Sequence, residues 1–298
     1  MRYVKFDLGR TAKTFEVNKE SFEKITNNKE PWEQLQIKGE KKKQYAICPC
    51  CDNPVRLIGL YRVIKKRPYG AHAGKDIKGL PIHNQFRYEY CSLSKKGKKI
   101  NDEEQYIEAD KIQKELYYIL RDNFHKIVYF IENKLGFEGS NSFWEKRLNL
   151  FMGTGGYLYP WISLENLPWM FCYFGIGGTA IYNQNIKCDT SIYNCILENC
   201  KKAQLLPVKN TKYFRLQNNG EFLEPIKFRF SLHQAKLTDE GELLEELTMY
   251  IGFGSKEIYK EIIIIDQSHF RKLLDYDWHD NARWMEIRAM SAEIMKGI

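Results

Sequence analysis

The sequence predicts an α+β protein: a small metal-stabilised module in front of a mixed helix and sheet domain. Three observations carry this expectation. A Cys-x2-Cys knuckle, Cys48 to Cys51, is followed by later histidines and a cysteine; apolar residues repeat at three and four from Ile112 to Leu135; and the last third holds runs that alternate apolar and polar. The 298 residues are 43% hydrophobic and 14% aromatic, the composition of a chain with a real core. The expected division is a module over 1–100 and an α+β domain over 101–298.

The first elements in order are a short strand at Tyr3 to Leu8, a second near Thr14 to Val17, and a helix starting near Ser21. Tyr45-Ala46-Ile47 leads into the knuckle, and Val55 to Val63 reads as a strand leaving it. The polar run Ser92 to Glu104 reads as a linker. A helix follows from Gln105, with a break near Asp122-Asn123 and a stop at Gly136. Ser142 to Glu145 matches a capping box and begins a helix that the glycines at 153, 155 and 156 end. Thr190 to Lys202 reads as a helix. Lys227 to Gln234 and part of Leu247 to Phe253 alternate as strands, Glu261 to Asp266 reads as a buried strand, and Asp280-Asn281 caps a last helix whose Trp284, Ile287, Ser291 and Ile294 form a docking face.

Zinc sites of structural type use four Cys or His ligands, and compact ones begin with a knuckle whose two thiolates a tight turn brings onto one ion. Cys48 and Cys51 have that spacing, Asp52-Asn53 tolerates a left-handed turn, and Pro49 and Pro54 restrict the backbone on either side. Cys91 is the third ligand. The fourth is His72 or His83; His72 is preferred because Gly70 and Gly74 let its loop fold back on the knuckle. Cys50 can stand in for Cys48 or Cys51, and without a metal the same residues are unpaired thiols of a reducing compartment. The expected set is Cys48, Cys51, His72 and Cys91, holding zinc.

Charge is divided unevenly. Residues 1–100 hold 23 Lys and Arg against 10 Asp and Glu, a net +13, whereas residues 101–298 hold 23 against 28, a net −5. The basic runs are Lys41-Lys42-Lys43, Lys65-Lys66-Arg67 and Lys95-Lys96-Gly97-Lys98-Lys99, and Tyr45, Tyr61, Tyr69, Phe86, Tyr88 and Tyr90 lie between them. Any single run reads as a solvated loop face. Together they point to nucleic acid: cations attract polyphosphates by releasing counterions, and aromatics among them stack on unpaired bases.

Elsewhere the chemistry is sparse, and no catalytic residue is assigned. Asp275, Asp277 and His279 would share one face of an extended segment and could hold a divalent metal, as in a nuclease; a polar turn capping the last helix is the preferred reading, because nothing supplies a matching partner set. Gly175 to Thr179 reads as a close-packed turn more readily than as a phosphate nest. Cys188, Cys195 and Cys200 read as core thiols, and His125 and His269 as structural histidines. No secretory signal follows Met1, and the longest nearly uncharged stretch, Pro168 to Asn183, is too short to span a bilayer. Eight cysteines are too few for a disulfide framework. A cytoplasmic protein that does not enter membranes is expected.

The run Ile47 to Val55, with Pro68 to Leu80 and the closing Cys91, resembles the zinc-finger-like segment of proteins encoded in bacterial phage-defence islands, some of which are effector toxins of retrons. The resemblance covers about a sixth of the chain. It implies Cys48, Cys51, His72 and Cys91 as metal ligands. It also implies an antiviral effector or toxin whose basic module contacts nucleic acid, or a nucleoprotein such as a reverse transcriptase with its single-stranded DNA. The alternatives are a metal-dependent nuclease and a non-enzymatic zinc-finger adaptor or transcription factor.

Overall fold

The computed structural model describes residues 1–9, 12–35, 42–62, 67–89, 91–94, 111–159, 161–218, 224–266, 268–276, 278 and 281–296. Two compact units emerge: Met1–Glu104 with Gln234–Glu245, and Gln105–His233 with Glu246–Ile298. Helices and three antiparallel sheets make the fold α+β.

In the first unit, β1 (Tyr3–Lys5), β2 (Thr14–Glu16), α1 (Lys19–Thr26), β3 (Glu33–Leu35), β4 (Lys42–Ile47), β5 (Pro54–Ile58), β6 (Tyr69–His72) and α2 (Gln85–Glu89) follow in order. The sheet runs β2-β1-β4-β5-β6, with β3 also on β4. Helix α1 is capped by Asn18, whose side chain accepts from Ser21 N at 2.8 Å, and it ends on Asn27 in the left-handed region. Strand β5 is shorter than expected because Gly59, at φ +81°, turns the chain out of the sheet. Val4, Ala46, Val55 and Leu57 are buried. The sheet closes tightly at Gly70, where a Cβ would meet Val55 Cγ1 at 2.7 Å.

The second unit contains α3 (Lys111–Leu135), β7 (Phe137–Glu138), α4 (Asn141–Gly153), α5 (Leu167–Phe171), β8 (Asn185–Lys187), α6 (Ser191–Asn199), β9 (Gln204–Pro207), β10 (Tyr213–Gln217), β11 (Ile226–Leu237), β12 (Leu243–Phe253), β13 (Lys256–Ile264), α7 (His269–Asp275) and α8 (Ala282–Ile294). Its sheets run β7-β8-β10-β9 and β11-β12-β13. The tip of the β11–β12 hairpin, Gln234–Glu245, belongs to the first unit, where the Tyr3 hydroxyl donates to Asp239 O at 2.6 Å.

Helix α3 buries Leu116, Leu120, Phe124, Ile127, Val128, Ile131 and Leu135, the apolar stripe of the sequence, and breaks at Asn123 (φ −124°, ψ 22°). The cap of α4 is not Ser142 but Ser140, whose hydroxyl accepts from Phe143 N at 3.2 Å, so the capping-box register lies two residues early. The docking face of α8 is used within the chain: Ile287 and Ser291 are buried, and Ser291 Oγ donates to Arg121 O at 2.8 Å. Strand β13 is not buried as expected. It lies at a sheet edge, with Ile263 covered and Ile262 and Ile264 exposed. Among the described residues, no helix is long and apolar enough to cross a membrane.

One buried ion pair ties α3 to α8. Glu132 is 6% exposed; its Oε1 accepts from Gly139 N at 3.0 Å, Trp144 Nε1 at 2.9 Å and Arg283 Nη2 at 2.5 Å, and its Oε2 accepts from Arg283 Nη1 at 2.9 Å. Burial pushes the Glu132 carboxyl up against the pull of Arg283. Arg283→Met would strand a buried carboxylate and is expected to cost about 3–5 kcal/mol by denaturant midpoint. A loss under about 1 kcal/mol would contradict the pairing.

Candidate metal centre

The knuckle is the turn between β4 and β5. Asp52 N donates to Cys48 O at 3.2 Å and Cys48 N to Asn53 O at 2.9 Å, and Asp52 takes φ +58°, the left-handed conformation that Asp and Asn tolerate. Pairing of β5 with β6 sets His72 opposite Val55, beside the knuckle. Cys91 follows α2, its N–H donating to Tyr88 O at 3.2 Å. Asn53, 1% exposed, binds the two halves together: Oδ1 accepts from Asn84 N at 2.7 Å, while Nδ2 donates to Asn84 O at 3.1 Å and to Cys51 Sγ at 3.3 Å.

Cys48, Cys51, His72 and Cys91 thereby offer three sulfurs and a ring nitrogen that all lie within 4.8 Å of one another, a group that can hold a metal ion. Cys48 Sγ and Cys91 Sγ are 3.7 Å apart, and Cys51 Sγ and His72 Nε2 are 3.3 Å apart. A tetrahedral ion with thiolates at about 2.3 Å and an imidazole at about 2.0 Å needs S–S edges of about 3.8 Å and S–N edges of about 3.5 Å. The pocket therefore has the right size. Cys48 and Cys91 are fully buried and Cys51 is 4% exposed. Burial, and then Cys51, raise the Cys48 thiol, and hydrogen bonds with Cys48, Cys50 and Cys51 raise Cys91. Burial also pushes Cys51 upward, but hydrogen bonds from Cys48, Cys91 and His72 prevail and carry it well below the ordinary thiol range. A metal ion binds thiolates, so its uptake by this group would release protons.

The two open choices resolve by position. His83 turns away, its Nε2 3.1 Å from Gln85 Oε1 and its N–H donating to Asp76 Oδ1 at 2.7 Å. Cys50 stands outside the four, its Sγ 3.4 Å from Ser92 Oγ. Sequence reasoning missed Lys5. Its side chain is 1% exposed, with Nζ 2.5 Å from Asp52 Oδ1, and it donates to Gly9 O at 2.7 Å and Pro49 O at 3.4 Å. A buried ammonium thus grips the knuckle from β1 and opposes the negative charge that three thiolates bring to a divalent ion. The signal available in the sequence was a lysine alternating with Val4 and Phe6, both buried.

Among the nucleic-acid candidates, Lys42 is exposed and paired with Glu33 at 2.7 Å. Lys43 and Arg67 are described and pair with no acid among the described residues; Lys41, Lys65, Lys66, Lys95 and Lys96 lie outside them. Two cations that no run contained join Lys43: desolvation, then Arg56 and Lys75, lower its ammonium pKa, so the three lie close enough to repel.

Among the described residues, the remaining constellations bring together no further metal group. Asp277 and His279 lie outside the described residues, and Asp275 ends α7, where Lys126 Nζ takes Leu274 O at 2.7 Å and Tyr276 O at 3.2 Å. In the 175–179 turn Gly177 N donates to Cys172 O, Gly178 N to Phe228 O and Thr179 N to Ile176 O, which leaves these donors unavailable to a phosphate. Cys195 donates to Ile258 O at 3.3 Å and joins no metal group with Cys188 and Cys200.

Protein purified without chelator is expected to carry one metal ion per chain by elemental analysis. Cys51→Ser loses the ion and soluble protein, because the ion's binding energy is folding energy for this unit, whereas Cys50→Ser keeps it. Lys5→Met is expected to cost about 3 kcal/mol by leaving Asp52 unpaired beside the knuckle, a loss absent in the exposed control Lys24→Met. Metal retained in Cys51→Ser, or lost in a folded Cys50→Ser, would contradict the ligand set. The chain matches no protein-family model, no curated protein and no solved structure, so its residues alone define the site.

Proposed function

We propose that the first unit is a zinc-stapled module that docks on a single-stranded nucleic acid, or on a nucleoprotein that carries one. Three thiolates and an imidazole are soft donors suited to zinc. They complete the tetrahedron and leave no open position for substrate, which supports a structural ion over a catalytic one.

The convergence of Lys43, Arg56 and Lys75 carries the nucleic-acid reading. Arg56 is opposite Tyr45 on β4, so it projects from the same face as Lys43; Tyr69, opposite Ile58, shares that face, and Lys75 follows β6. None of the three cations has an ion pair with a described residue. Folding that gathers like charges on one face is costly unless a polyanion offsets them. An open cleft of about 910 Å³ passes Lys43, Arg56, Tyr61 and Arg62, with Glu23 and Glu33 also on its wall, and a tyrosine among cations suits a stacked base.

The resemblance of the knuckle segment to phage-defence proteins supplies the setting: an antiviral effector or toxin whose partner is a reverse transcriptase with its single-stranded DNA. Growth of cells expressing the full chain with and without its neighbouring genes tests this. Toxicity relieved by a neighbour is expected, and Asp277→Ala and His279→Ala should leave it intact. Toxicity abolished by either substitution in a folded protein would move the assignment to a metal-dependent nuclease; no toxicity in any context would favour an adaptor.

Binding of the full chain to single-stranded DNA, followed by fluorescence anisotropy across a salt series, tests the docking face. Affinity should fall steeply with salt, and reversing Lys43, Arg56 and Lys75 to Glu should weaken it while lowering the log–log slope by about 0.7 per lost phosphate contact. The variant should keep its metal. Affinity that is flat with salt, or unchanged in the triple variant, would remove this reading.

A further inference from the structure

We infer that β13 is the interface of a two-fold dimer, in which the strands of two copies pair antiparallel at their free edges. Strand β13 ends the β11-β12-β13 sheet, and Ile262 and Ile264 on it are 57% and 53% exposed. Natural proteins protect such apolar edges with charge, proline or a covering element, because the unpaired backbone is a template for another strand. Helix α6 meets the strand near its turn end, through the Cys195 thiol on Ile258 O.

The direction of the free backbone groups follows from the hairpin. Strands β12 and β13 join through the two-residue turn Gly254-Ser255, so the closing pair, Phe253 and Lys256, exchanges hydrogen bonds. By the alternation of an antiparallel ladder, Ile251, Met249 and Leu247 also turn toward β13, where they meet Tyr259, Glu261 and Ile263. The N–H and C=O groups of Lys260, Ile262 and Ile264 consequently point away from β12, and no described residue bonds to them.

A second copy fits this edge in one register that uses all three residues. Paired side chains must lie on the same face, so a two-fold axis normal to the sheet has to pass through a residue and not between two. Centred on Lys260 or Glu261, it would set like charges against each other. Centred on Ile262, it pairs Ile262 with its own copy and Lys260 with Ile264 in both directions, all at positions whose backbone points outward. The charges then complement one another. Glu246 lies next to Ile264 across β12, so Lys260 of each copy faces Glu246 of the other beyond a single strand. A symmetric pairing of this kind joins two three-stranded sheets into one of six strands and removes both edges. It is independent of the metal and of nucleic acid.

Analytical ultracentrifugation of the full chain tests it. The unaltered protein should sediment as a dimer at micromolar concentration. Ile262→Lys, which sets two ammonium groups face to face on the axis, should sediment as a monomer with an unchanged thermal melt. Lys260→Glu should weaken the dimer, and Glu246→Lys added to it should restore the dimer, a rescue that general destabilisation cannot produce. A monomer in the unaltered protein, a dimer that survives Ile262→Lys, or a charge swap that fails to rescue would overturn the proposal.

Discussion

Four donor atoms from three separate stretches of chain, at residues 48–51, 72 and 91, have to meet at one point, and the first unit is built around that requirement. Strand pairing brings His72 beside the knuckle, and Asn53 clamps the segment that delivers Cys91. The sheet contributes short strands, with Val4, Ala46, Ile47, Val55 and Leu57 among its buried aliphatic residues. A unit of this kind gains more from one ion than from any single apolar contact, since the ion's affinity is available only to the folded chain.

The second unit is stabilised differently. Its core is aromatic, with Trp144, Phe171, Phe124 and Phe137 buried about α3, and its polar centre is the Glu132–Arg283 fork, which two further donors from Gly139 and Trp144 complete. Such a pair contributes little net energy compared with apolar packing and a great deal of specificity, because each misregistered arrangement of α8 on α3 would leave a charge buried alone. Each unit buries one cation against an acid: Lys5 on Asp52 beside the metal-binding group in the basic unit, and Arg283 on Glu132 in the acidic one.

Local patterns were legible in the sequence because they depend on neighbours along the chain. The knuckle spacing, the apolar repeat of α3 with its break at Asn123, and the Asn281 cap that accepts from Trp284 N at 3.0 Å are of this type. What escaped depends on strand order. The grip of Lys5 on Asp52, the gathering of Lys43, Arg56 and Lys75, and the burial of only alternate isoleucines in β13 each arise from which strand lies beside which, and a run of apolar residues does not reveal whether its strand is central or at an edge. Lys42 shows the converse: it belongs to a lysine run, yet pairing of β3 with β4 gives it Glu33.

X-ray absorption at the zinc edge measures the identity of the ion and of its four ligands at once. Protein purified without chelator should show zinc with three sulfurs at about 2.3 Å and one imidazole nitrogen at about 2.0 Å. A shell of four sulfurs, which would bring Cys50 in and leave His72 out, or an absence of zinc in soluble folded protein would contradict it.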